Sequence, residues 1–303
     1  MKIVFAGSPE FAVPALKALH NAGVEIVAVL TQPDKPVGRK KILTPTPVKE
    51  QAIELGLPVY DFAKIRDHVN DISGLADFMI TCAYGQILTR EVLNCFKGGV
   101  WNLHASLLPK FRGASPIQSA ILAGEKYTGV TVMKTELEVD SGDILLVKRC
   151  EVGEKTYGEL REELSLLAAE AAVEAVGYLK AGKPLLLMQD EAQVTHCKKI
   201  NKAEAKIDFN CTAEEVVRLV RAMNPEPVAY CLQNGNTLNI LNAHIFDGAG
   251  NIGEVISADK RGVCVACGKG AVMIEELIPA GGKRMKAADY ANGRKIKAGD
   301  KLD

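Results

Sequence analysis

The sequence lacks an excess of charge of either sign, and it lacks a long apolar run. Its 303 residues carry 37 Lys and Arg against 37 Asp and Glu. A balanced chain does not attract nucleic acid through its overall field, so any basic surface must be local. No stretch of about 18 residues is free of charge and apolar throughout, which predicts no membrane span. The first residues also lack the apolar segment and cleavage site of a signal peptide, so we expect a cytoplasmic protein.

Closely spaced metal ligands are scarce as well. The 8 cysteines are scattered, and several lie in apolar runs, as buried thiols do in a reducing compartment. Cys264 and Cys267 form a C-x-x-C pair, but no second pair and no nearby His accompanies them. The alternation around this pair is typical of a strand that enters a glycine turn. We therefore predict no metal site.

The common cofactor fingerprints are missing too. In the segment FAGSPEF, which ends at Phe11, Pro9 stands where the second glycine of G-x-G-x-x-G would lie. A backbone with proline at that position cannot approach a pyrophosphate in the usual way, which argues against a nicotinamide oxidoreductase. The motifs G-x-x-x-x-G-K-[ST], H-E-x-x-H and G-x-S-x-G are also absent.

What the first 180 residues do contain is a regular alternation of strands and helices. Apolar runs predict strands at 2–6, 25–31, 57–60, 77–83, 100–104, 128–134 and 144–150. Helical stretches fall between most of them, and a long helix is predicted from Thr156 to about Lys180. This order indicates an α/β fold with a Rossmann-like, doubly wound, mostly parallel sheet.

The pattern changes after about residue 182. A charged, aperiodic stretch is followed by one predicted helix over 212–222. Short strands are then predicted at 228–232, 237–243, 253–257, 263–266 and 272–277. Five short antiparallel strands suggest a small OB-like β-barrel. We therefore predict an N-terminal domain over 1–189, a linker over 190–206 and a C-terminal β-barrel domain over 207–303.

The strongest candidate for chemistry is the predicted strand at 100–104. Side chains alternate along a strand, so Asn102 and His104 point to the same side. A carboxamide can stabilise an oxyanion, and an imidazole can move a proton near neutral pH. Asp140 and Asp143 follow in a predicted turn, and a carboxylate there can orient such an imidazole. The alternatives are a core histidine bonded to a backbone carbonyl and an aspartate that serves only its turn.

A long connecting segment is the second candidate. Residues 32–47 contain four prolines and four basic residues, Lys35, Arg39, Lys40 and Lys41. Loops of this length are usually functional or disordered. The segment is therefore either a binding site for a partner or a solvated connector.

Taken together, six segments resemble the 10-formyltetrahydrofolate-dependent formyltransferases in order and spacing. They are FAGSPEF, TQPDKPVGR, CAYGQIL, NLHASLLPKFRGASPIQ, TGVT and LEVDSGDIL. The continuation KIDFNCTAEEVVRLVRAMNPEP and the β-rich end resemble the members of that family that formylate methionyl-tRNA. The resemblance covers essentially the whole chain.

The resemblance implies specific residue roles. The matching catalytic residues are Asn102, His104 and Asp140. The matching tetrahydrofolate-binding segment is Ser106, Leu107, Leu108 and Pro109. The positions matching the region that contacts tRNA and its methionyl group are Phe11, Lys35, Arg39, Lys40 and Lys41. The implied reaction is formyl transfer from 10-formyltetrahydrofolate to the α-amino group of methionyl-initiator tRNA, for translation initiation, by a monomer without a metal.

Two basic clusters near the C-terminus are further candidates for tRNA contact. They are Lys283, Arg284 and Lys286, and Arg294, Lys295 and Lys297. With the basic loop they could line one face and track phosphates, or they could simply be solubilising. Two other functions stay open. One is formylation of glycinamide ribonucleotide or an amino sugar, and the other is nucleic-acid binding by a chain whose N-terminal domain has lost activity.

Overall fold

The computed structural model describes residues 1–38, 40–182, 184–293 and 295–303. The chain divides into two compact units. The first comprises Met1–Pro116, Tyr127–Glu151 and Arg161–Cys197, and the second comprises Ile117–Lys126, Val152–Leu160 and Lys198–Asp303. Two short stretches of the first half thus group with the C-terminal part. The predicted limits 1–189, 190–206 and 207–303 concern domains that fold independently, and they stay a prediction.

The first unit is built on a seven-stranded sheet with the order β10-β9-β7-β6-β1-β2-β5. The strands of this unit are β1 Lys2–Gly7, β2 Glu25–Leu30, β3 Lys35–Val37, β4 Ile42–Thr44, β5 Val59–Tyr60, β6 Phe78–Cys82, β7 Val100–His104, β8 Arg112–Gly113, β9 Tyr127–Lys134, β10 Ile144–Glu151 and β11 His196–Cys197. β7, β6, β1, β2 and β5 run parallel, β9 pairs antiparallel with β7, and β10 pairs antiparallel with β9. The predicted α/β fold with a mostly parallel sheet is confirmed.

Helices alternate with these strands. They are α1 Val13–Asn21, α2 Pro47–Glu54, α3 Val69–Ile72, α4 Arg90–Leu93, α5 Pro116–Leu122 and α6 Tyr157–Ala181. The long α6 begins where predicted, because Thr156 and Glu159 bond to each other's backbone N–H groups at 3.3 and 2.8 Å. Among the described helices, none is long and apolar enough to cross a membrane.

The second unit contains an antiparallel sheet and two further helices. Its elements are α7 Ala213–Ala222, β12 Ala229–Gln233, β13 Asn236–Phe246, β14 Val255–Asp259, β15 Gly262–Ala266, β16 Ala271–Pro279, β17 Met285–Lys286 and α8 Ala287–Asn292. The strand order is β12-β13-β16-β15-β14, with β17 added to β16. Val216, Val217 and Val220 bury one side of α7 in this unit's core, as expected of an amphipathic helix.

The last residues of the chain bond to both edges of this sheet. Leu302 bridges to Gln233, the last residue of β12, and Lys301 bridges to Glu254, just before β14. The antiparallel sheet agrees with the expectation of a β-rich C-terminal region. These contacts are isolated bridges and not continuous ladders, so the closed barrel stays a prediction.

Two pairings were missed. β3 and β4 form an antiparallel hairpin inside the long basic segment. β11 pairs in parallel with β8, and Leu187 bridges to Ile144. Short pairings of this kind use backbone groups, and they need no side-chain periodicity that a sequence would show.

Candidate functional site

Strand β7 places the two predicted polar residues at the carboxyl end of the sheet. Its neighbours are β6, where Thr81 lies opposite Asn102, and β9, where Thr131 lies opposite His104. His104 is 5% exposed, and Asn102 is half-buried. The carboxyl end of parallel strands is where open α/β sheets bind their ligands.

Thr81, on the neighbouring strand β6, orients the Asn102 carboxamide. The Thr81 hydroxyl donates to Asn102 Oδ1 at 2.8 Å. The Nδ2 group therefore faces the opposite side, where its two N–H groups can donate hydrogen bonds to a ligand oxygen. This is the orientation that an oxyanion donor requires.

The His104 imidazole has a protein group at each nitrogen. Nε2 lies 2.9 Å from the Phe111 carbonyl oxygen, and Nδ1 lies 3.5 Å from Asp140 Oδ2. A carbonyl can only accept, so Nε2 carries a hydrogen. Nδ1, on the other side of the ring, faces the Asp140 carboxylate. An imidazole beside a carboxylate is an arrangement that can move a proton. The backbone-carbonyl contact expected of a core histidine is present, and the carboxylate contact is present beside it.

Asp140 reaches His104 from a tight turn. Its backbone has φ of 54°, in the left-handed region that Asp tolerates better than most residues. Gly142 is required there, because an added Cβ would lie 1.8 Å from the Lys134 carbonyl oxygen. The Gly113 N–H donates to Asp140 Oδ2 at 2.8 Å. Turn geometry and imidazole contact, which the sequence offered as alternatives, therefore occur in the same residue.

The segment after β7 is held by its own hydrogen bonds. The buried Ser106 hydroxyl donates to the Lys110 carbonyl at 2.7 Å, and the Thr131 hydroxyl donates to the Ser106 carbonyl at 2.7 Å. Leu108 is buried in a small apolar cluster with Met133 and Ile144, whereas Leu107 and Pro109 are partly exposed. Of the predicted folate segment, these last two side chains are the more accessible.

Residues that the sequence analysis did not identify hold the loop after β7 through hydrogen bonds. The Phe111 N–H donates to Thr195 Oγ1 at 2.8 Å, and the Arg112 N–H donates to the Thr195 carbonyl at 2.9 Å. The chain passes so close at Gly113 that an added Cβ would lie 2.1 Å from the Cys197 carbonyl oxygen. We call residues 187–197 the return segment. Nothing in its aperiodic sequence signals this role.

The basic segment lies elsewhere in the first unit as the β3–β4 hairpin. Lys40 and Lys41 are exposed, Lys35 donates to the Gln32 side chain, and Arg39 lies outside the described residues. Phe11 is partly buried in a 3-10 turn that follows β1. No described contact joins these residues to one another, so their grouping as a tRNA site stays a prediction.

The base of this hairpin is tied down by a lysine. Lys49 Nζ lies 2.7 Å from Asp34 and 2.8 Å from Asp61. The hydrogen bond to Asp34, reinforced by Asp61, raises the pKa of Lys49, and the hydrogen bond from Lys49 lowers the pKa of Asp61. The hairpin is therefore anchored at its root, while Lys40 and Lys41 between its strands are exposed.

The C-terminal basic clusters are only partly free to meet a ligand. Arg284 forms two bonds with Glu276, at 3.2 and 2.6 Å. Lys283, Lys286 and Lys297 are exposed, and Lys295 Nζ lies over the Tyr290 ring at 5.8 Å. Arg294 lies outside the described residues.

The C-x-x-C pair is buried in the second unit. Burial raises the pKa of Cys267 to about 11 and also raises the pKa of Cys264. Among the described residues, no group of three His, Cys, Asp or Glu side chains is placed to hold a metal ion. A protonated, buried thiol packs as a small apolar side chain.

Comparison with known proteins gives the same match in both halves. Residues 1–176 match the family described as formyl transferase, and residues 199–295 match the formyl transferase C-terminal domain. Methionyl-tRNA formyltransferase of Neisseria gonorrhoeae is 44% identical over 308 aligned positions, covering 100% of each chain. The enzyme of the same name from Ruminiclostridium cellulolyticum is 43% identical, covering 100% of this chain and 99% of its own.

A solved structure supports the fold. The N-formyltransferase of Helicobacter canadensis, in complex with folinic acid and dTDP-3-aminofucose, superposes with a TM-score of 0.68. It is 17% identical and covers 90% of this chain and 98% of its own. At that identity the likeness concerns the architecture and not the acceptor.

Proposed function

This chain belongs to the formyl transferase family, and we propose that it moves the formyl group of 10-formyltetrahydrofolate onto the α-amino group of methionyl-initiator tRNA. The observation that carries the proposal is the full-length, 44% identity to a relative named methionyl-tRNA formyltransferase. The product, N-formylmethionyl-tRNA, serves translation initiation, so we place the protein in the cytoplasm.

The first step is attack by the neutral methionyl amine on the formyl carbon. A new C–N bond forms, and the formyl oxygen becomes an oxyanion on a tetrahedral carbon. The Asn102 amide, turned by Thr81, is the donor that we assign to this oxygen. Donors fixed before the reaction stabilise the developing charge without reorganising.

The second step breaks the bond between the formyl carbon and N10 of the folate. The amine must lose a proton and N10 must gain one, so the overall reaction is neutral in protons. We assign this transfer to the His104–Asp140 pair. In the free protein both ring nitrogens face protein groups, and we infer that the substrates replace one of these contacts.

The remaining assignments follow the family resemblance. Ser106, Leu107, Leu108 and Pro109 are proposed to bind the folate, and Phe11 to lie near the methionyl side chain. Lys35, Arg39, Lys40 and Lys41 are proposed to contact the tRNA phosphates, whose charge favours clustered basic side chains. No step in the scheme calls for a metal, and we propose that the protein acts as a monomer.

The decisive experiment compares acceptors for the purified full-length protein. Labelled 10-formyltetrahydrofolate is mixed with methionyl-initiator tRNA, methionyl-elongator tRNA, a nucleotide-linked amino sugar or glycinamide ribonucleotide. We expect rapid transfer to the initiator tRNA and little to the others. Transfer to a small acceptor but not to tRNA would keep the family and overturn the proposed substrate.

A further inference from the structure

The turn that carries Asp140 is held by a side chain from the return segment. Gln189 Nε2 donates to the carbonyl oxygens of Asp140 and Gly142, both at 2.8 Å. Gln189 lies outside the turn, and its side chain bridges two backbone carbonyls of the turn. It satisfies the backbone oxygen of the same residue whose carboxylate faces His104.

The orientation of the Gln189 amide is fixed at both ends. Its Oε1 accepts from Arg112 Nε at 3.0 Å. A guanidinium only donates and a carbonyl only accepts, so the NH2 group can only face the turn. A glutamate at this position would turn an oxygen toward two carbonyl oxygens.

Arg112 is itself an unusual anchor. It is 1% exposed, and its Nη2 and Nη1 donate to the two Glu191 carboxylate oxygens at 2.7 and 3.4 Å. A buried guanidinium is costly to leave unpaired, so Arg112 requires these acceptors. The chain of contacts thus runs from Glu191 through Arg112 and Gln189 to the backbone of Asp140.

We propose that Gln189 is a positioning residue that acts through Asp140 on the His104 imidazole. The Asp140 carboxylate is held on one side by the Gly113 N–H, and its backbone is held on the other by Gln189. The left-handed φ of Asp140 costs free energy that the turn's contacts must offset. When the amide donors are lost, the turn relaxes and Oδ2 leaves its place 3.5 Å from Nδ1.

The inference rests on the proposed function for its kinetic test, and a second readout is independent of it. Gln189→Glu keeps the length of the side chain and removes both donors, whereas Gln189→Met removes the polar group without adding charge. Gln193→Glu is the matched control, because the Gln193 amide on the same segment donates to Asp190 and not to the turn.

In the kinetic test we expect both Gln189 variants to lower kcat by about 10- to 100-fold, as misplacement of a catalytic group does. KM for the folate and for the tRNA should stay within about twofold, and Gln193→Glu should match the parent. In an Asp140→Asn background, Gln189→Met should cost nothing further. An equal additional loss in that background would overturn the proposal, since the residue would then act independently of the carboxylate.

The independent readout is the pair of His104 ring nitrogen signals, observed by NMR in the free protein. His104→Gln identifies these signals by their loss. Both Gln189 variants should shift them, and Gln193→Glu should not. Unchanged signals in folded Gln189 variants would overturn the inference whatever the reaction is. Absence of formyl transfer by the parent protein, with shifted signals, would overturn only the proposed function.

Discussion

Two aperiodic stretches of this chain look alike in sequence and differ in structure. The basic hairpin, β3 to β4, leaves Val37, Ile42 and Leu43 more than half exposed, at 55%, 62% and 63%. The return segment instead bonds to the turns that hold His104 and Asp140. Both stretches break the strand–helix alternation, and each has proline or glycine near it.

The difference teaches that lack of periodicity does not make a segment a connector. Backbone groups must be satisfied somewhere, and a stretch without its own helix or sheet can satisfy them on a neighbouring element. The hairpin satisfies many of its backbone groups within itself and therefore leaves its side chains for solvent or a partner. The return segment shares its backbone groups with β8 and thereby becomes part of the site.

The largest effect should come from the three candidate catalytic side chains, of which the return segment supports His104 and Asp140. We expect Asn102→Ala, His104→Ala and Asp140→Ala each to lower turnover by about 10²- to 10³-fold, as loss of one oxyanion donor does. Turnover and circular dichroism are measured together, so that a folding defect is seen.

The control is His196→Ala, which removes an exposed imidazole from the return segment itself. It should leave turnover near that of the parent. A folded His104→Ala protein with near-parental turnover would remove His104 from the mechanism and reduce the return segment to a structural element.

The next effect separates the two stretches directly. Thr195→Val removes the acceptor of the Phe111 N–H, whose carbonyl holds His104. An unmade hydrogen bond costs about 1–3 kcal/mol when it is buried, so we expect kcat to fall by up to about 10-fold at this partly solvated position.

Thr44→Val is the matched change in the hairpin, where the hydroxyl donates only to the local Ile42 carbonyl at 3.0 Å among its described bonds. It should leave kcat unchanged. Equal kcat values for the two variants would contradict the contrast between the stretches. Steady-state assays at saturating substrates give kcat, and single-turnover assays with enzyme in excess give the rate constant of the chemical step.

Much of the architecture could be predicted because the relevant forces are local. Strand β7 was predicted at its observed limits, since an apolar run bounded by turn residues marks a buried strand. The start of α7 was also predicted, because the capping box formed by Thr212 and Glu215 lies within four consecutive residues. The mostly parallel sheet followed from the alternation of strands with helices.

The site could be predicted only in part. Asn102 and His104 share a strand, so their common side follows from alternation, and the resemblance supplied Asp140. Their supports, Thr81, Gln189 and Thr195, depend on contacts between residues that are distant in sequence. No pattern in one chain reports such pairs, and single polar residues in loops are usually explained by solvent exposure.

A smaller effect is expected from the tip of the hairpin. We expect each of three variants to raise KM for tRNA several-fold without changing folate binding. They are Arg39→Ala, Lys40→Ala and Lys41→Ala. Each lost phosphate contact should lower the slope of log affinity against log salt by about 1. Affinity is measured by filter binding across a salt series.

The control is Lys148→Ala, which also removes one positive charge. Lys148 lies outside the hairpin and pairs with Glu174 of α6 at 2.6 Å. It should leave the salt slope unchanged. An unaltered slope for all three hairpin variants would make the hairpin a solvated connector, leaving tRNA recognition to other surfaces.

The smallest effect concerns the root of the hairpin and its dependence on pH. Lys49 binds both Asp34 and Asp61, and these bonds raise the pKa of Lys49 and lower that of Asp61. A lowered carboxyl pKa contributes stability above the unfolded value of about 3.9, and this contribution is lost as pH falls through the lower folded value. The raised pKa of Lys49 contributes stability below the unfolded value of about 10.4. This contribution is lost only as pH rises through the higher folded value. The root should therefore be insensitive to pH between about 5 and 9.

This window can be tested by following the side-chain carboxyl carbon signal of Asp61 from pH 2 to 7. We expect one transition with a midpoint below the usual aspartate range, and a loss of only a few tenths of a kcal/mol, because the Asp61 side chain is 47% exposed and solvent screens the pair. In Lys49→Met the midpoint should return to the usual range, since the hydrogen-bond donor is gone. A parental midpoint at or above that range would show that Lys49 does not hold Asp61 in solution, and the hairpin would then be unanchored as well as exposed.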